Sequence, residues 1–324
     1  MNKPIFIVSS GRAGSTILTW CLGQHPNIVP QEESDWLGPF AIDAAIGYQR
    51  GIARGERGQL SSNFIQREEL LAQFGQSINE LILSHRKQFE SINLRQQAGW
   101  SEPAFPVSRS SDEPKSRWVD GTPEYSFYIC GLRKLFPQAL FVHLVRDVTA
   151  VVRSLLNFFP DGRNRLVATE QAAYEYWLRR TTRCFEAEQA YGLDVVYRMR
   201  YSDIIDQPES AMRSLLDFLG EPYSAQCLEP LALRINSANV PADFNPSDPA
   251  TDPAIVEEAR QLSDQLQSSP QQRKASARVA EKLEAEFDER VRYFYDLETK
   301  YSDAQKLIAK LQEECDAFSA SGSC

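Results

Sequence analysis

The chain has 324 residues, enough to bury a large core in one elaborated domain or two. Hydrophobic residues at 42% and charged residues at 24% suit a globular protein in water, and no apolar run is long enough to span a membrane. A net charge of -9 leaves no basic excess to neutralise a nucleic-acid backbone, which excludes nucleic acid as the main partner but not one local basic pocket.

The first segment, Pro4 to Leu22, opens with Ile5-Phe6-Ile7-Val8, an apolar run that predicts a strand buried on both faces. Ser9 to Thr16 follows as a glycine-bearing turn, and Ile17 to Leu22 suits a helix. Strand, turn and helix in this order offer free backbone N–H groups and the positive end of a helix dipole to an anion. Gly11 and Gly14 permit the tight turn, Ser15 and Thr16 add hydroxyls, and Arg12 adds a planar cation suited to phosphate or sulfate oxygens. A Walker A loop would carry a lysine before its Ser/Thr, and that lysine is missing. Taken alone, the loop is also compatible with a βα turn that binds nothing.

A turn at His25-Pro26 leads to Ile28-Val29-Pro30 and the pair Glu32-Glu33, whose chemistry is ambiguous because most such pairs are solvated. Residues 36–117 read as a mostly helical insertion, a natural place for recognising an acceptor. Within it, Glu68 to Phe89 has Leu70, Leu71, Phe74, Ile78, Leu81, Ile82 and Phe89 near one helical face, with His85 on or near that helix. Ser101 to Arg117, with three prolines, predicts a loop.

Asp120-Gly121-Thr122-Pro123 precedes a predicted helix from Tyr125 to Phe136. Leu140 to Val145 is the second clear buried strand, and it delivers Arg146 at its carboxyl end, where α/β sheets bind ligands. The helical stretch from Val148 to Asn157 carries Ser154. Ala168 to Ala190 predicts a helix, Val195 to Tyr201 a third strand, and Pro208 to Leu219 a helix ending at Gly220.

These pieces together resemble the sulfotransferases that use PAPS (3′-phosphoadenosine 5′-phosphosulfate). Arg12-Ala13-Gly14-Ser15-Thr16 is similar to their 5′-phosphosulfate loop. Leu144 to Ser154 is similar to their 3′-phosphate motif, an arginine (Arg146) with a serine (Ser154) eight residues later. Tyr197 to Tyr223, which includes Tyr201, resembles a further strand-helix tract, and Ile235-Asn236-Ser237 a late segment that closes over the nucleotide. The resemblance spans about residues 4 to 240 without the insertion. It implies an α/β fold with a P-loop-NTPase-like central parallel sheet flanked by helices.

It also implies a cofactor, PAPS with PAP as its product, held by Arg12, Ala13, Gly14, Ser15, Thr16, Arg146, Ser154, Tyr201, Asn236 and Ser237. No metal is required. Within the family, the tyrosylprotein sulfotransferases place a catalytic glutamate in an E-E pair, and the ungapped correspondence puts that residue on Glu33, with Glu32 and His85 as alternative bases. Arg12 would assist catalysis by neutralising charge on the leaving group. Gly121 stands where many relatives have a lysine, so that cation is missing or supplied elsewhere. The implied reaction is transfer of a sulfuryl group to a hydroxyl acceptor, with a glycan or glycolipid as the first expectation and a small metabolite or peptide tyrosine also open. A nucleotide or small-molecule kinase, or a non-catalytic module, would be the alternatives.

Residues 1–240 are thus expected to form the sulfotransferase domain, 241–274 a linker with a short helix, and 275–318 a long helix of coiled-coil type. With Phe287 as an a position, Phe294, Tyr301, Ile308 and Cys315 follow at a, and Arg290, Leu297, Ala304, Leu311 and Phe318 fall at d. That seam predicts a homo-oligomer or a docked partner; a helix lying back on its own domain is the alternative. The six cysteines show no C-x-x-C spacing and the start shows no signal-peptide pattern, so a reducing, cytoplasmic location is expected.

Overall fold

The computed structural model describes residues 3–86, 115–159, 165–232, 246–271 and 273–321. In chain order the elements are β1 (Ile5–Val8), α1 (Ser15–Gly23), β2 (Ile28–Pro30), α2 (Leu37–Ile52), α3 (Gln59–Ser62), α4 (Arg67–Ser84), β3 (Arg117–Asp120), α5 (Ile129–Leu135), β4 (Leu140–Val145) and α6 (Val148–Leu156). They continue with α7 (Glu170–Tyr191), β5 (Val196–Arg200), α8 (Tyr201–Asp206), α9 (Pro208–Leu219), α10 (Pro253–Ser268) and α11 (Ala277–Ser321).

The five strands form one parallel sheet in the order β2-β3-β1-β4-β5, with β1 at its centre between β3 and β4. Every residue of β1 and β4 is buried, as strands covered by helices on both faces must be. One face packs Phe6, Val29, Trp118 and Phe141 against α2, α5 and α7. The other packs Ile5, Ile7, Val119 and Val142 against α1 and α9. The chain is α/β, with a parallel sheet flanked by helices and a long C-terminal helix.

Two strands lack a clear signal in the sequence. β2 and β3 have three and four residues, too few to show a period, yet they pair in parallel through Ile28 with Arg117 and Val29 with Trp118. The insertion helix buries part of the expected face, with Leu71 in the core and Ile78 and Ile82 packed against it. Phe74 and Leu81 are exposed, while Leu71, Gly75 and Asn79 face inward. Gly75 is pressed onto the backbone of Leu135, and Asn79 accepts a hydrogen bond from the Trp118 indole at 2.8 Å, so a close backbone contact and a buried polar bond share the inward face with the apolar side chains. Its predicted end at residues 87–89, most of the Ser101–Arg117 loop and the first residues of the 241–274 linker lie outside the described residues.

α10 packs on α6 and α7, with Ala259 and Leu266 buried. The first part of α11 packs on α2, α5 and α7, where Leu283, Phe287 and Val291 join the cluster that contains Phe6. From residue 296 to 316 the helix is exposed on all sides.

Candidate active site

The parallel topology brings the ends of β1 and β4 together, and a cleft of about 480 Å³ opens above them. Its floor is the turn after β1. Arg12 (φ 69) and Gly14 (φ 111) both adopt left-handed backbone, which turns the chain sharply into α1. At Gly14 any side chain would be strained, and a Cβ would come within 2.6 Å of the Tyr201 ring. Gly14 caps α1 without a side-chain hydrogen bond, so the first N–H groups of the helix stay available to a ligand at its positive end.

Two arginines converge on this turn. The Arg12 Nε–H donates to Ser154 Oγ at 3.2 Å, and its guanidinium lies 4.0 Å from the centre of the Phe158 ring. Arg146, leaving β4, donates from Nη1 to the Arg12 carbonyl at 3.2 Å and stacks 4.5 Å from the Tyr201 ring centre. Burial and the neighbouring Arg146 hold the Arg12 guanidinium below its ordinary pKa, with Glu33 opposing. Arg153 lines the same cleft, and its buried Nε has no hydrogen-bond partner among the described residues. Concentrated positive charge, a partnerless donor and an uncapped helix N-terminus suit anionic oxygens.

The opposite wall is acidic. Glu33 and Glu124 both line the cleft, with Pro123 and Tyr176 beside them. The Glu33 carboxyl is pushed up to about 7 by the protein that replaces its water, then by Glu124, Asp120 and Asp35, while Arg12 opposes the shift. The segment bearing Glu33 is fixed from below. Asp120 at the end of β3 accepts from the Thr122 N–H and hydroxyl at 2.9 and 2.6 Å, and Thr122 Oγ1 accepts from the Ser34 N–H at 3.1 Å. Burial pushes Asp120 up to about 6 despite those bonds.

Of the residues expected from sequence, Arg12, Gly14, Ser15, Thr16, Glu33, Arg146, Ser154 and Tyr201 meet in this cleft. Ala13 is buried in the turn, and Glu32 is not among the lining residues. His85 borders a separate hollow with Gln31, Leu81, Ile82 and Arg86. Asn236 and Ser237 lie outside the described residues. Among the described residues no group of His, Cys, Asp and Glu is arranged to hold a metal ion. Arg153, Glu124 and Tyr176 were not singled out by the sequence. Arg153 adjoins Ser154 and could have been considered with it, whereas Tyr176 sits among Tyr174 and Trp177 and reads as core.

The profile of the sulfotransferase family matches residues 4–225, more than half of the chain. The chain belongs to the sulfotransferase family. It is 22% identical over 253 residues to the omega-hydroxy-beta-dihydromenaquinone-9 sulfotransferase Stf3 of Mycobacterium bovis, and equally to that of Mycobacterium tuberculosis. The match covers 68% of this chain and 63% of those curated relatives, less than two thirds of their length. Among solved structures, the sulfotransferase domain of the Synechococcus PCC 7002 olefin synthase is 19% identical with a TM-score of 0.44, covering 88% of this chain and 94% of that one. Sulfotransferase STF1 of M. tuberculosis is 20% identical with a TM-score of 0.40, covering 72% of each chain. In this chain one basic and one acidic wall share a single cleft. Among the described residues, no helix is long and apolar enough to cross a membrane.

Proposed function

We propose that the protein transfers a sulfuryl group from PAPS to an acceptor hydroxyl. The observation that carries this reading is the convergence of Arg12, Arg146 and Ser154 on the uncapped start of α1, with Glu33 in the same cleft. The residues fit a donor with two anionic ends, since the partnerless Nε of Arg153 adds a third basic group beside Ser154. Bound PAPS would supply an electrophilic sulfur attached to a phosphate leaving group.

Arg12 and the N–H groups of Ser15 and Thr16 would hold the phosphosulfate and stabilise the charge that grows on the bridging oxygen. Arg146 and Ser154, with Arg153, would hold the 3′-phosphate. Glu33 would accept the acceptor's hydroxyl proton, a role matched to a carboxyl poised near neutrality. Gly121, whose added Cβ would meet Thr19 Oγ1 at 2.3 Å, stands where the resemblance implies a lysine, so in this reading the charge stabilisation falls to Arg12. A kinase reading has less support, because Gly14 is followed directly by Ser15 and Thr16 with no Walker lysine.

The acceptor is proposed to be a hydroxyl compound, a glycan or glycolipid first; the name of the Stf3 relatives, an omega-hydroxy menaquinone sulfotransferase, supports a hydroxyl on a lipid as well. Self-association through the far part of α11, and a reducing cytoplasmic location for the buried thiols of Cys21, Cys130, Cys184 and Cys227, complete the reading. Titration calorimetry tests the donor. PAP should bind at least about tenfold more tightly than 5′-AMP, since charge-assisted bonds to one phosphate are worth roughly 1.5–3 kcal/mol each. Equal affinities would remove PAPS as the donor.

A further inference from the structure

The acidic wall contains a second carboxylate that the proposed chemistry does not use. Glu124 follows Pro123 in the turn after β3, and it lines the cleft together with Glu33. Its Oε1 accepts from Nη2 of Arg180 at 3.2 Å. Arg180 arrives from α7 as a buried side chain, its guanidinium 3.6 Å from the Tyr176 ring centre and 4.9 Å from that of Phe127. Its Nε has no hydrogen-bond partner among the described residues. The Tyr176 hydroxyl is in turn hydrogen-bonded to the backbone at Gly11 and sits so close that an added Cβ there would meet it at 2.5 Å. A continuous set of contacts therefore runs from the anion-binding turn, through Tyr176 and Arg180, to a carboxylate beside Glu33.

A guanidinium sandwiched between two rings cannot move far, so it fixes the position of the charge it binds. Glu124 is thus held in the cleft with Glu33 rather than swinging into solvent. Two carboxylates sharing a cleft disfavour each other's ionised form. We propose that the Arg180–Glu124 pair positions and tunes Glu33, with Glu124 setting a fixed negative charge near that carboxylate and Arg180 anchoring Glu124 to the same tyrosine that supports the anion-binding turn. The groups facing Glu33 are Glu124, Asp120 and Asp35, which repel its charge, and Arg12, which attracts it; Tyr176 is a phenol whose pKa burial raises. Arg180 also faces Asp35. Removing the charge of Glu124 alone leaves the other groups in place.

This inference rests on Glu33 being the proton acceptor. The test is carbon-13 NMR of the full chain labelled at glutamate carboxyls, without ligand, the Glu33 resonance being the one lost in Glu33→Gln. Glu124→Gln should lower the Glu33 titration midpoint by roughly half a pH unit or more. With Arg180→Gln already present, the same change should move it by less than half as much, because Glu124 is no longer held in place. A midpoint unmoved by Glu124→Gln, or moved equally with and without Arg180, overturns the proposal. If Arg180→Gln does not fold, the single Glu124→Gln titration decides. The two readings separate cleanly. A Glu33→Gln protein that still transfers sulfuryl groups removes the base itself, whereas an inactive one with an unresponsive Glu33 midpoint in Glu124→Gln removes only the tuning pair.

Discussion

At the scale of single residues, the cleft divides by charge: Arg12, Arg146 and Arg153 on one wall, Glu33 and Glu124 on the other. Arg12 touches both halves, bonding Ser154 while opposing the upward shift of Glu33. Substituting Glu33→Gln should reduce turnover by about 10²–10⁴-fold, the usual loss when a general base is removed. Affinity for PAP should stay near that of the parent, because the glutamate faces away from the nucleotide's phosphates in the proposed arrangement. Steady-state kinetics and calorimetry on one preparation check both halves. The pH dependence follows from the same group. A carboxyl pushed up to about 7 is protonated and inactive as a base below that value, so kcat/KM should fall as pH drops through about 7 rather than through the ordinary carboxylate range. The same shift acts on folding with the opposite sense: ionising Glu33 is harder in the folded chain, so this group weakens stability as pH rises from the usual range toward 7.

At the scale of elements, the turn between β1 and α1 depends on a backbone that alanine tolerates poorly. Gly14→Ala would combine a left-handed φ with a Cβ 2.6 Å from the Tyr201 ring. The expected cost is about 1–3 kcal/mol, accompanied by weaker PAP binding as Tyr201 and Arg146 are displaced. Thermal unfolding and calorimetry read the two effects separately. The long helix α11 is similarly tied to the sheet domain at its beginning. Phe287 fills space against Gly131, whose added Cβ would meet the ring at 3.0 Å, and Arg290 donates to the Phe127 carbonyl at 2.7 Å. Phe287→Ala should therefore destabilise the fold by about 3–5 kcal/mol, as for other buried aromatics, in denaturant unfolding. A coiled-coil a position that faced solvent in the single chain would show almost no loss.

At the scale of the whole molecule, α11 has two regions with different surroundings. Leu283, Phe287 and Val291 belong to the core of the sheet domain, which means that a cut at residue 240 would remove part of that core along with α10. Beyond residue 296 the exposed a and d residues Leu297, Tyr301, Ala304, Ile308 and Leu311 extend from the body without cover among the described residues. Most helix stability in proteins comes from packing an apolar face, so this seam gains stability when a partner covers it. Truncation after Lys300 should accordingly lower the oligomeric state while preserving the fold and PAP binding. Light scattering of full-length and truncated protein decides this; a monomeric full-length chain would show that α11 does not self-associate.

The two strand-loop-helix units around Arg12 and Arg146 are legible in the amino-acid order because each is local: an apolar run, a turn residue and a helix follow one another within about twenty residues. The polar spacing from Arg146 to Ser154 was legible for the same reason. The weak strands β2 and β3 were not, since three or four residues carry no period and their stability comes from neighbours far away in the chain. Folding is what brings Ser154 against Arg12, 142 residues earlier, and Glu124 onto Arg180, 56 residues later. Parallel strands joined by crossovers bring such distant segments together, so linear spacing does not encode the contact. Which part of each apolar stripe is buried was likewise decided by what the helices meet: α4 packs Leu71, Ile78 and Ile82 on the core but leaves Phe74 and Leu81 exposed, and α11 buries Leu283, Phe287 and Val291 but not the residues beyond 296. The poise of Glu33 belongs to the same class, because its carboxyl responds to Glu124, Asp120, Asp35 and Arg12 through space, and electrostatic interaction follows distance in the fold rather than position in the chain.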